Sequence, residues 1–156
     1  MEVPEGTVAY PDVHALATAG AKISGFVLPD GASTSTINCK VDVPNDLAGT
    51  PNGSIHIRFM SMGTGTTDNI RITVSTGAYA NSENMDAALT AETEVSVSVS
   101  DTIENRFSLD QDLTTDPTAG DTMLIQIQRD PTDVADDYAP DVLVYDVFLE
   151  IDRTGT

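Results

Sequence analysis

The pattern that decides the fold lies in residues 122–151, "TMLIQIQRDPTDVADDYAPDVLVYDVFLEI". In its first part, Met123, Ile125 and Ile127 alternate with polar residues, which is typical of a strand with one buried and one solvated face. The last ten residues are apolar at most positions, so we predict a strand in the middle of a sheet, covered on both sides. One face of that strand would carry Leu143, Tyr145, Val147, Leu149 and Ile151, and the other Val142, Val144 and Phe148.

The same alternation recurs towards the N-terminus. It is clear in "STINCKVDV" (35–43), "SIHIRFM" (54–60), "NIRITVS" (69–75) and "EVSVSVS" (94–100), and weaker in "ISGFVL" (23–28) and "RFSLD" (106–110). Clusters of Gly, Pro, Asn and Asp separate these segments. The single candidate helix is "SENMDAALTAE" (82–92), with Ser82 as its cap. About eight strands at this spacing predict an all-β fold, an antiparallel two-sheet sandwich of the jelly-roll type, over residues 23–152.

The two ends of the chain differ from this pattern. Residues 1–22, "MEVPEGTVAYPDVHALATAGAK", carry two prolines and widely spaced apolar residues. They are either a disordered tail or an extended arm that adds backbone hydrogen bonds to the sheet of a neighbouring subunit. The spaced Val, Tyr and Leu side chains favour the arm. No secretory signal peptide is expected here, and residues 153–156 are predicted to be a short C-terminal tail.

Charge is the strongest global property of the chain. Asp and Glu number 25 against 7 Lys and Arg, which gives a formal net charge of −18. Nucleic acids and anionic membranes would be repelled, so neither is expected as a partner. The charge keeps the surface hydrated and disfavours non-specific association.

The loop at residues 129–141, "RDPTDVADDYAPD", holds the densest group of acids. Its carboxylates could bind calcium, which takes several oxygen ligands at about 2.3–2.6 Å. Alternatively they cap turns and keep the strand edges from aggregating. The spacing lacks the alternating aspartates and the glycine of an EF-hand. The turn interpretation is favoured, and calcium is the one cofactor left open. The residues concerned are Asp130, Asp133, Asp136, Asp137 and Asp141.

Catalytic patterns are weak. Asp146 interrupts an apolar strand, where a carboxylate needs hydrogen-bond donors, so we expect a structural pair or an edge position. Cys39 falls on an apolar strand face as a small hydrophobic residue, and neither His14 nor His56 lies in a motif that would pair it with a nucleophile. The chain is therefore predicted not to be an enzyme, and no catalytic, cofactor-binding or metal-binding residue is assigned.

Carbohydrate binding is the alternative function, because sandwich folds often carry it. Sugar platforms are usually aromatic, and this chain has no Trp and four Phe that mostly fall at alternating strand positions typical of a core. Tyr79 and Tyr138 are the loop aromatics outside the N-terminal segment. Such a module, with or without calcium, would serve in host attachment.

Two segments resemble a known family. Residues 119–152, "AGDTMLIQIQRDPTDVADDYAPDVLVYDVFLEID", are similar to the closing hairpin of β-sandwich structural proteins of tailed bacteriophages. Residues 25–32, "GFVLPDGA", resemble an early strand and turn of the same proteins. In pattern, the resemblance covers most of residues 23–152.

This resemblance implies a non-enzymatic virion component. The main expectation is a capsid decoration or cement protein on the capsid exterior, and a tail or neck domain is the other location that it implies. Its partners would be the major capsid protein and further copies of itself, with a trimer as the implied homo-oligomer.

Overall fold

The fold consists of nine antiparallel β-strands in two sheets, seen in a computed structural model that describes residues 9–17, 20–47, 52–63, 68–85, 88–99, 104–114 and 116–151. The strands are β1 (Tyr10–Ala15), β2 (Lys22–Leu28), β3 (Ser35–Asp42), β4 (Gly53–Ser61), β5 (Asp68–Tyr79), β6 (Thr90–Val99), β7 (Arg106–Asp112), β8 (Thr122–Arg129) and β9 (Val142–Ile151). The first sheet has the order β1-β2-β9-β4-β7 and the second the order β3-β8-β5-β6. Within the described ranges there is no helix capable of crossing a membrane.

Strand pairing follows a nested order. Strand β2 pairs with β9, β3 with β8, β4 with β7 and β5 with β6. The chain is thus one long antiparallel ribbon, and it rolls up because β4 also pairs with β9 and β5 with β8. This nested pairing is that of a jelly roll. The predicted all-β, two-sheet architecture is confirmed, with β1 as an additional ninth strand.

The main core lies between the two sheets. It is made by the alternating apolar residues that the sequence places on one face of each strand, as in Ile55, Ile57 and Phe59 of β4. The corresponding residues of β5 are Ile70, Ile72 and Val74, and those of β8 include Ile125 and Ile127. These side chains are at most 1 % exposed. Their burial removes the largest apolar area from water and therefore holds the two sheets together.

Strand β9 does not have the two faces that strict alternation predicts. Arg58 of β4 pairs with Asp146, but the next residue, Phe59, pairs with Val144, so Tyr145 forms a β-bulge. Val142, Val144, Val147 and Leu149 all face the main core because the bulge shifts the alternation by one residue. The predicted division of β9 into two apolar faces is therefore wrong beyond Tyr145.

The outer side of β9 is covered at its beginning. Leu143 packs with Val27 and Met60 in a second apolar cluster, against which Leu16 and Ile23 also pack. Past the bulge the same side is solvated, and Phe148 is 38 % exposed. The expectation that this strand is covered on both faces holds for its first residues alone.

The predicted N-terminal arm contains a strand of this chain's own first sheet. Residues Tyr10–Ala15 pair with β2 at six positions, from Tyr10↔Val27 to Ala15↔Lys22. Residues 1–8 and the predicted C-terminal tail at 153–156 lie outside the described residues. Contact between the arm and a neighbouring subunit stays a prediction.

The predicted helix at residues 82–92 is wrong. Its described residues form a turn, irregular chain and the start of β6 at Thr90. Ser82 has a φ of 76°, whereas a helix N-cap residue has an extended backbone. Glu83 instead accepts a hydrogen bond from the amide of Ala80, which closes the turn between β5 and β6.

Candidate functional site

The aspartate-rich loop is organised around a buried arginine. Arg129 is fully buried, and its guanidinium donates two hydrogen bonds to Asp136, at 2.9 Å from Nε and 2.8 Å from Nη2. It also donates to the carbonyl oxygens of Leu28, Tyr138 and Pro140. The Asp136 side chain is 1 % exposed. This charge-assisted pair fixes the path of the loop between β8 and β9.

The other four acids of the loop serve backbone geometry. Asp130 accepts from the amide of Thr132 at 3.0 Å and Asp133 from that of Ala135 at 2.7 Å. Asp137 accepts a hydrogen bond from the backbone amide of Asn69, and Asp141 accepts one from the backbone amide of Asp30. In the part of the chain that the structure describes, no three His, Cys, Asp or Glu side chains converge as metal ligands. Asp130 and Asp133 therefore cap turns within the loop, whereas Asp137 and Asp141 attach it to distant segments of the chain.

An aromatic surface lies on the solvated side of the first sheet. We call Phe148, His56 and Arg58 the aromatic platform. The His56 and Phe148 rings are stacked, with centroids 4.6 Å apart and planes inclined by 14°. Arg58 Cζ lies 5.2 Å from the centroid of the Phe148 ring. The Phe148 ring is thus held from β4, while 38 % of the residue stays exposed.

Carboxylates hold and surround the platform. Asp110 Oδ1 lies 2.6 Å from Arg58 Nη1 and 2.7 Å from His56 Nδ1. These hydrogen bonds, first from Arg58 and then from His56, keep the pKa of Asp110 below its ordinary value of 3.8. Glu150 Oε2 lies 3.0 Å from His56 Nε2. The platform therefore combines an exposed apolar ring with charged hydrogen-bonding groups held in one geometry.

Asp146 belongs to the surroundings of this platform. It lies opposite Arg58 in the β4–β9 register and is exposed to solvent. Among the described residues it has no ion-pair partner, because Arg58 binds Asp110 instead. Of the two expected arrangements, the structural pair is not formed, but the edge position is, because β9 pairs with β4 and not with β2 at Asp146. Exposure removes the burial cost that made a partner necessary.

A second concave surface opens where β2 leaves β9. Pairing between these strands covers Val142, Leu143 and Val144, and Gly25 packs so closely that a Cβ there would lie 2.3 Å from the Val144 carbonyl oxygen. Beyond the bulge the strands separate and leave a cleft of about 770 Å³. We call it the β2–β9 cleft. Its apolar lining includes Val13, Phe26, Ile37, Cys39, Val144 and Val147.

The remaining candidate residues do not assemble a catalytic site. His14 Nε2 lies 3.1 Å from Glu104, which also accepts from the amide of Ala17, so this pair holds the β1–β2 turn. Burial raises the pKa of the Cys39 thiol. His56 belongs to the aromatic platform on the other side of the sheet.

The aromatic side chains that are exposed differ from those that the sequence predicts to be exposed. Tyr138 lies in a loop as predicted and is 1 % exposed, whereas Tyr79, predicted in a loop, is the last residue of β5 and is 7 % exposed. Neither ring is therefore offered to a ligand. Phe26 and Phe148 are 46 % and 38 % exposed, against the expectation of mostly core phenylalanines. For Phe148 a signal is present, because Asp146 and Glu150 stand two residues to either side on the same strand.

Comparison with known proteins shows similarity at the level of fold. No family model and no curated protein sequence matches the chain. Among solved structures, the CBM22-1 xylan-binding domain of Paenibacillus barcinonensis Xyn10C is similar with a TM-score of 0.51 and 10 % identity, covering 94 % of this chain and 83 % of that domain. A family 35 carbohydrate binding module from Clostridium thermocellum has a TM-score of 0.44 and 16 % identity, covering 90 % and 87 %.

A phage structure is also among these neighbours. The enzymatically active domain of Bacteriophage CBA120 tailspike protein 4 has a TM-score of 0.48 and 9 % identity, covering 92 % of this chain. This chain spans 18 % of the length of that tailspike chain. Of the three, the xylan-binding domain alone exceeds a TM-score of 0.5. At these identities the likeness concerns architecture, so the chain is assigned to the jelly-roll β-sandwich fold.

Proposed function

We propose that this chain is a non-enzymatic carbohydrate-binding module that binds glycan on the aromatic platform. The observation that carries the proposal is the exposed Phe148 ring, held by His56 and Arg58 and surrounded by hydrogen-bonding groups. The fold supports it, because a xylan-binding domain has a similar architecture.

The chemistry of the platform suits a sugar. A pyranose ring has an apolar face of C–H groups that can cover an aromatic ring, while its hydroxyl groups reach outward. Arg58 can donate to these hydroxyls, and Asp110 can accept from them. Because Asp110 already holds Arg58 and His56 in position, little side-chain entropy is lost when a ligand binds.

The expected contribution of the ring is modest. Complete burial of a Phe side chain is worth about 1.5–3 kcal/mol. Covering the 38 % of Phe148 that is exposed would contribute about 1 kcal/mol. That free energy corresponds to a roughly fivefold increase in the affinity for the glycan.

The test is affinity gel electrophoresis of the full chain through arabinoxylan and through hydroxyethyl cellulose. We expect retardation of the unaltered protein in at least one gel and roughly fivefold weaker binding for Phe148→Ala. The matched control is Phe26→Ala, which removes a somewhat more exposed aromatic ring from the β2–β9 cleft. Migration without retardation in both gels would contradict the proposal. A larger loss for Phe26→Ala would move the site to the cleft.

The capsid-decoration role stays a prediction that rests on the sequence resemblance. It concerns attachment to a particle, so its test is sedimentation of the protein with intact virions rather than glycan binding. The two functions are compatible, because a capsid-decoration protein on the outside of a virion could also bind host glycans.

A further inference from the structure

The acids beside Phe148 bear on which glycans the platform accepts. Asp146 and Glu150 stand two residues before and after Phe148, and all three are exposed. Residues two apart on a strand project from the same face about 7 Å apart. The exposed ring is therefore flanked by a carboxylate on each side along β9.

The nearby positive charges do not cancel these carboxylates. Arg58 is bound to Asp110 at 2.6 Å, so its charge is already matched. Glu150 lies 3.0 Å from His56, which counts as neutral in the formal charge at pH 7. Asp146 has no ion-pair partner in the described residues, and Asp112 of β7 is contacted by the neutral Ser54 hydroxyl. The whole chain adds a formal charge of −18. A negative potential therefore surrounds an apolar ring.

We propose that Asp146 and Glu150 restrict the aromatic platform to glycans without acidic groups, and this rests on the proposed glycan-binding function. An acidic substituent on a sugar over Phe148 would lie about 7 Å from each flanking carboxylate. In water, repulsion between that acidic substituent and one carboxylate at this distance weakens binding by roughly threefold. Without screening by salt, the two carboxylates together give about eightfold discrimination. At about 500 mM salt, screening removes most of it.

The test compares two polymer pairs with the same backbone, arabinoxylan against glucuronoxylan and hydroxyethyl cellulose against carboxymethyl cellulose. Binding of the full chain is measured at about 20 mM and about 500 mM NaCl, where the Debye length falls several-fold. We expect the neutral member to bind about fourfold more tightly at the lower salt, where a Debye length of about 20 Å already screens part of the repulsion. The double variant Asp146→Asn/Glu150→Gln should lose this preference while still binding the neutral polymer.

The control is Asp42→Asn/Glu94→Gln, which makes the same change in net charge on the second sheet. Asp42 pairs with Lys40 and Glu94 with Arg71, away from the platform. We expect this variant to keep the preference for the neutral polymer. Equal binding of neutral and acidic polymers by the unaltered chain, or an unchanged preference in Asp146→Asn/Glu150→Gln, would overturn the inference alone. Failure to bind any of the neutral polymers would overturn the proposed function itself.

Discussion

The buried pair of Arg129 and Asp136 provides the sharpest test of the fold. In Asp136→Asn the shape of the side chain is kept, but the guanidinium of Arg129 loses its buried counter-charge. Removing one partner of a buried ion pair costs about 3–5 kcal/mol. Three backbone carbonyls and Asp30, at 3.8 Å, remain near the guanidinium. We therefore expect a loss of about 3 kcal/mol in the free energy of unfolding.

The free energy of unfolding is measured by urea denaturation and the melting temperature by thermal denaturation, both monitored by circular dichroism. A loss of about 3 kcal/mol corresponds to a decrease of about 6–12 °C in the melting temperature of a chain of this size. The control Asp133→Asn makes the same chemical change in the same loop, where one hydrogen bond to Ala135 is weakened, and should cost about 1 kcal/mol. Adding Arg129→Met to Asp136→Asn should recover part of the loss, because no buried charge then remains. Equal stability of Asp136→Asn and Asp133→Asn would refute the assigned role of the pair.

Three further outcomes follow from single contacts. Gly25→Ala would place a methyl group 2.3 Å from the Val144 carbonyl oxygen, and thermal denaturation should show a loss of about 1–3 kcal/mol. Because burial raises the pKa of Cys39, its reaction with a disulfide reagent should be slower in the folded chain than in urea. Since the pKa of Asp110 is lowered below 3.8, its stabilising effect is present above that pH and is lost as the pH falls through the folded value. The difference in unfolding free energy between the unaltered chain and Asp110→Asn should therefore be seen at about pH 7 and shrink progressively as the pH is lowered below 3.8.

The candidate site could be predicted in part. Alternation places His56 and Arg58 on the solvated face of β4, as the structure shows. Uninterrupted alternation along β9 places Phe148 on an apolar face with Val142 and Val144. Nothing in "VLVYDVFLEI" itself marks Tyr145 as the inserted residue, because the bulge arises from the way β9 pairs with β4.

The sequence alone determined that the chain forms strands, and which side of most strands is buried, because side chains on a strand alternate with a period of two and burial follows polarity. It also determined a surface that repels anions, since 25 acids exceed 7 bases whatever the fold. The tertiary structure decided the rest, because those features depend on contacts between residues distant in the chain. Pairing of β9 with β4 created the bulge that exposes Phe148. Packing of the loop after β8 buried Arg129 against Asp136. It also placed Asp137 and Asp141 against the backbone amides of Asn69 and Asp30, which are distant in the chain.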